Sequence, residues 1–235
     1  MTSDPSRRAF LSAALATGML TLAGCSADGV EPGHFRNLPL RTFGGYAPSD
    51  TVHLAVVGDS LSVGVVGQLT GANVNGDWHD TVDLGALQFL GGWSKVGATT
   101  ADMARSAKPV SGADALLIMA GTNDVAAKTV FDDSSVSIGR IADAVHLDRV
   151  SVAMIPPSNA SPQAALDFND QLRDLAGDRG WSVVDPWRSA RDDEGRWVTR
   201  YRGDGTHPNQ SGYQAGTDQL VDDLAEVYLG AEPVG

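Results

Sequence analysis

Three side chains in two short motifs, far apart in the chain, have the types and local spacing needed to attack an ester. Gly58-Asp59-Ser60-Leu61-Ser62 directly follows the apolar run Val52 to Val57, and Asp204-Gly205-Thr206-His207-Pro208 stands near the C-terminus. An unperturbed serine hydroxyl is a poor nucleophile at neutral pH and needs a base. His207 offers one, and Asp204, on the same turn, can hold the imidazole in one tautomer and stabilise its charged form. Asp59 is read as making a structural hydrogen bond in its turn, without a part in the chemistry.

Attack on an ester carbonyl also needs donors for the oxygen that becomes negative. A serine at a strand-to-helix turn faces free backbone N–H groups. Ala115 to Ala120 reads as a second buried strand, running into Gly121-Thr122-Asn123-Asp124, where the Asn123 amide can donate. Upstream, Val96-Gly97-Ala98-Thr99-Thr100 places Gly97, whose backbone can approach a substrate closely, just before a helix start.

The elements that must position these groups follow from the hydrophobic pattern. Strand-like runs recur at Val52 to Val57, near Trp93 to Val96, at Ala115 to Ala120, at Arg149 to Ile155 and at Trp181 to Val184. Helical spacing appears from Ser134 to Val145, from Pro162 toward Gly177, and from Gln210 to Leu229, where Leu220, Leu224 and Val227 share one face. Alternating strands and helices imply an α/β fold with a mostly parallel sheet covered on both faces. Such sheets bind ligands beyond the carboxyl ends of their strands, where Ser60 and Asn123 fall.

Serine, glycine, asparagine and histidine occur in that order, in four separate blocks. In this the stretch from residue 51 to 225 resembles the SGNH, or GDSL, hydrolases. The resemblance implies a three-layer α/β/α, flavodoxin-like fold with a five-stranded sheet, and an ester-hydrolysing enzyme; the sequence has no phosphate-binding Gly-x-x-x-x-Gly-Lys loop and no dinucleotide fingerprint, so no tightly bound cofactor is expected. It assigns catalysis to Ser60, Asp204 and His207, and the oxyanion hole to the Ser60 and Gly97 N–H groups and the Asn123 amide. The Gly-x-Ser-x-Gly elbow of the other large esterase fold is absent.

The first residues speak to location. Ser6-Arg7-Arg8-Ala9-Phe10-Leu11 and the apolar run through Leu22 have the make-up of an export signal, too short for a membrane span. The arginine pair resembles a twin-arginine signal, with the Sec route still open. Leu22-Ala23-Gly24-Cys25 resembles the lipobox of bacterial lipoproteins, so Cys25, the only cysteine, is expected to carry lipid; the other reading is a free thiol. The expected organisation is a signal over 1–24, a lipidated N-terminus and tether over 25–50, and a catalytic domain over 51–230. The chain is then an exported lipoprotein on the outer face of a membrane, or a secreted protein.

A net charge of −12 argues against nucleic acid or an anionic membrane surface as the main partner. No metal is expected: Asp77, His79, Asp80 and Asp83 form the only local cluster of possible ligands and read as a solvated loop. A monomer acting on a small-molecule or polysaccharide ester is expected, with release of short acyl groups from envelope or extracellular carbohydrate. A lipase, a thioesterase, an acyltransferase and a non-catalytic envelope-binding lipoprotein are the alternatives. Trp78, Phe89, Trp187, Trp197 and Tyr201 either line a cleft or pack in the core.

Overall fold

Val52–Gly58 (β1) and Ala115–Met119 (β5) form the centre of the sheet, and nearly all their residues are buried. The computed structural model describes residues 51–71 and 74–230. The export signal, lipid-bearing Cys25 and tether expected from the sequence fall outside the described residues. The other strands are Gly76–Trp78 (β2), Val82–Asp83 (β3), Leu87–Ser94 (β4), Arg149–Ala153 (β6) and Ser182–Val184 (β7). The main order is β2-β4-β1-β5-β6-β7, with β3 also paired to β4. Neighbours from β4 to β7 are parallel, whereas β2 and β3 run antiparallel to β4.

The sheet therefore has seven strands where five were expected. The five parallel strands follow the flavodoxin-like order, and the two additions lie in the stretch between the first helix and β4. They span three and two residues, too few for a period of two to show in the sequence. The strand expected near Trp93 begins earlier, at Leu87, and contains Gly91-Gly92 at a register shift against β1. A Cβ at Gly92 would run into the Val56 carbonyl oxygen, so only glycine allows β4 to lie this close.

Helices Ser60–Thr70 (α1) and Gln210–Leu229 (α6) accompany one apolar cluster, and Thr100–Ser106 (α2), Phe131–Val145 (α4) and Pro162–Arg179 (α5) accompany the other. Short Thr122–Ala127 (α3) follows β5. Successive strand residues point to opposite faces: Leu54, Val56, Leu117 and Met119 join the first cluster, while Ala55, Val57, Leu116 and Ile118 join the second. Both faces are thus covered, which is why the central strands are continuously apolar. Trp78, Phe89, Trp187 and Trp197 are buried in the first cluster, and Tyr201 packs on its edge. Leu220 and Leu224 are buried as the helical pattern requires, but Val227 is exposed; in the last turn Tyr228 and Leu229 make the core contact instead.

Candidate functional site

Ser94, Gly58 and Met119 sit side by side in register at the carboxyl ends of β4, β1 and β5. Each strand then delivers one candidate residue within four positions: Gly97, Ser60 and Asn123. The row is fastened by Lys95 N–H donating to the Gly58 carbonyl at 3.1 Å and by the Ser62 hydroxyl donating to Ser94 Oγ at 3.0 Å. Parallel pairing places all three at one edge of the sheet.

Ser60 opens α1, with Asp59 as its N-cap: Asp59 Oδ1 accepts from Leu61 N–H at 2.9 Å. The structural bond expected of Asp59 is therefore present. The Ser60 N–H lies in the first turn, where helix geometry supplies no intrahelical acceptor.

His207 reaches Ser60 from the far end of the chain. It sits in the loop before α6, which Asn209 caps by accepting from Gly212 N–H at 3.0 Å. Gly203 N–H donates to the His207 carbonyl at 3.0 Å, closing the loop on itself. Ser60 Oγ and His207 Nε2 are 2.7 Å apart, and His207 Nδ1 and Asp204 Oδ2 are 2.9 Å apart. A carboxylate only accepts, so Nδ1 carries the proton and Nε2 is left to accept from the serine hydroxyl. Asp204 Oδ1 also accepts from the N–H groups of Thr206 at 2.8 Å and His207 at 2.6 Å. Burial pushes the Asp204 carboxyl up, but the bonds from the His207 backbone and ring and from Thr206 outweigh it and hold its pKa below the ordinary range.

On the other side, Gly97 has φ +77°, and the space where a Cβ would stand is open. Asn123 is in the first turn of α3. Its Nδ2 donates to the Ala98 carbonyl at 2.9 Å, which aims the amide along the Gly97 loop. An amide nitrogen has two hydrogens, so one remains for a ligand. Next to it, buried Asp124 accepts from Thr100 N–H at 2.9 Å, from Thr100 Oγ1 at 2.6 Å and from Ser134 Oγ at 3.1 Å. One carboxylate thus ties α2, α3 and α4 together behind Gly97 and Asn123. The sequence reading missed this role, though a charged residue directly after Asn123 was its available signal.

Among the described residues no group of three or more His, Cys, Asp or Glu could hold a metal ion. Asp77 pairs with Lys108 at 2.8 Å, and Asp83 accepts from Gly85 N–H at 2.8 Å.

A polarised serine at a strand end, a histidine with a carboxylate behind it and a free amide hydrogen on the opposite side make a site for acyl transfer to water. The model of the GDSL-like Lipase/Acylhydrolase family matches residues 56–215. The chain belongs to this family and is an SGNH-type serine hydrolase acting on ester bonds. No curated protein matches the chain. Among solved structures, it is similar to a GDSL-like lipase from Bacteroides thetaiotaomicron, with 16% identity over 79% of this chain and 93% of that one, and a TM-score of 0.57. A carbohydrate esterase family 3 protein from Talaromyces cellulolyticus has 20% identity, covering 77% of this chain and 100% of that one, with a TM-score of 0.54. A carbohydrate acetylesterase family member from Sinorhizobium meliloti has 18% identity over the same shares and a TM-score of 0.54. At these identities the likeness shows the fold.

Proposed function

We propose that the protein hydrolyses esters through an acyl-enzyme on Ser60, releasing short acyl groups from carbohydrate at the cell envelope or outside the cell. The observation that carries the reading is the continuous hydrogen-bonded line from Ser60 Oγ through His207 to Asp204. His207 Nε2 takes the serine proton as Oγ bonds to the ester carbonyl carbon. The carbonyl oxygen, now negative, is held by the N–H groups of Ser60 and Gly97 and the second hydrogen of Asn123 Nδ2. As the bond to the alcohol oxygen breaks, His207 gives that oxygen its proton. Water then attacks the acyl carbon, His207 takes the water's proton and passes it to Ser60 Oγ, and the acid leaves.

The carbohydrate substrate is supported by the N-terminal residues that resemble an export signal and a lipobox and by two carbohydrate esterases among the similar folds. Lipid on Cys25 would keep the enzyme at the outer face of a membrane. The test is hydrolysis of p-nitrophenyl esters from acetyl to palmitoyl and of acetylated polysaccharide, with Ser60→Ala alongside. A short-chain optimum with acetate release from the polysaccharide is expected. A palmitoyl optimum would mean a lipase, and transfer to an added alcohol would mean an acyltransferase. Wild-type turnover in Ser60→Ala would overturn the assignment of the nucleophile.

A further inference from the structure

Asp59, directly before Ser60, is a carboxyl group with one half of its hydrogen bonding left unmet. It is 1% exposed, and while Oδ1 accepts from Leu61 N–H, Oδ2 is buried and has no partner. It lines a cavity of about 10 Å³, at the lower limit for one water molecule; its neighbours there are Leu61, Met119, Thr122, Met154 and Trp187. A buried carboxylate without a full set of donors or a cation carries a large desolvation penalty, and the usual escape is to keep its proton.

We propose, on the hydrolase reading above, that Asp59 is a positioning residue that holds the Ser60 turn as a neutral acid. Loss of its proton then slows acyl transfer by placing negative charge beside the forming oxyanion. The cap bond needs only an acceptor, which a neutral carboxyl supplies through Oδ1. The peptide group joining Asp59 to Ser60 carries the Ser60 N–H, one of the donors proposed for the oxyanion, so charge on Asp59 opposes charge there.

The surroundings favour the neutral form. Burial is the largest influence and pushes the Asp59 carboxyl up to about 7, against the Leu61 N–H bond and the neighbouring Thr122 hydroxyl, which favours ionisation although it does not reach hydrogen-bond geometry with Oδ2. Asp124 on α3 pushes it up further. On α6, Tyr213 lies with its ring against Gly64; burial, then the charges of Asp59 and Asp204, push its phenol up, so it brings no charge of its own. Beyond Ser60 stands the His207–Asp204 pair, whose forming imidazolium is the one positive charge of the reaction. None of the groups acting most strongly on Asp59 is cationic.

The test is the rate at which a fluorophosphonate labels Ser60, measured from pH 5 to 9 in the wild type and in Asp59→Asn. Asparagine keeps the Oδ1 acceptor and has no proton to lose. The ratio of mutant to wild-type rate is expected to rise between pH 7 and pH 8.5, by up to about fifteenfold if the ionised form is inert, the limit for a group titrating near 7. A ratio constant with pH would overturn the proposal. The infrared spectrum of the wild type gives a second reading without a variant. A carboxylic acid C=O band that disappears with a midpoint near pH 7 is expected, and its absence at pH 5.5 would overturn the proposal if Asp59→Asn fails to fold. A wild type that is not labelled at any pH would defeat the hydrolase reading itself, and this inference with it.

Discussion

The two sides of the Ser60 site are supported by carboxylates in opposite circumstances. Asp204, behind His207, belongs to a surface loop; its side chain is 48% exposed and its charge is held by hydrogen bonds from its own loop. Asp124, behind Gly97 and Asn123, is 1% exposed and joins three helices. On the proposed mechanism, the side that moves protons rests on a local, water-accessible device, while the side that would hold the oxyanion is continuous with the core. Chemistry and stability should therefore separate on the first side and travel together on the second.

The largest effect sharpens that contrast. Ser60→Ala is expected to lower kcat on the order of a million-fold while leaving the melting temperature within a degree or so of wild type, because a small side chain is lost without an orphaned charge. Asp204→Asn should lower kcat on the order of ten-thousandfold, by putting an amide N–H where Oδ2 accepts from His207 Nδ1 and so favouring the wrong tautomer, again with little change in melting. Comparable losses of activity and stability in this variant would break the comparison. Asn123→Ala is expected to cost about a hundredfold in kcat, the usual effect of losing one oxyanion donor.

Asp124→Ala leaves the Thr100 and Ser134 donors unmet in the interior, and should destabilise the fold by about 2–4 kcal/mol. Denaturant unfolding measures it, and a loss of only a few tenths would show that the oxyanion side is not built into the core. The smallest effect is in the pH dependence of Asp204. Its folded pKa is depressed, so its contribution to stability is present above the ordinary carboxylate range and fades as pH falls through the folded value. Solvent screening keeps that contribution small. The difference in melting temperature between wild type and Asp204→Asn is therefore expected to shrink below about pH 4, and a constant difference would deny the ionised role.

The same division marks what could be seen in the sequence. Ser60, Asp204 and His207 were visible because each lies in a short motif beside an apolar run or a loop signal, and the alternation of strands and helices gave the layer architecture. Asp124 stood out only as a charge directly after Asn123; its role depends on where α2 and α4 pack, which that local signal does not record. The strands β2 and β3 were missed for a different reason: they are too short to carry a period and exist because β4 offers them an edge. Val227 repeats the helical spacing of Leu220 and Leu224, but spacing does not reveal that the last turn presents Tyr228 and Leu229 to the core.

The 147-position separation of Ser60 and His207 in the chain also has a meaning for the order in which the molecule is made. Synthesis runs from the N-terminus, so the turn carrying Ser60 is complete long before its base exists. The two meet only once the final loop and α6 have closed over α1. On the proposed mechanism the hydroxyl lacks its activator until then, so reactivity at Ser60 would report that the last loop and α6 have docked.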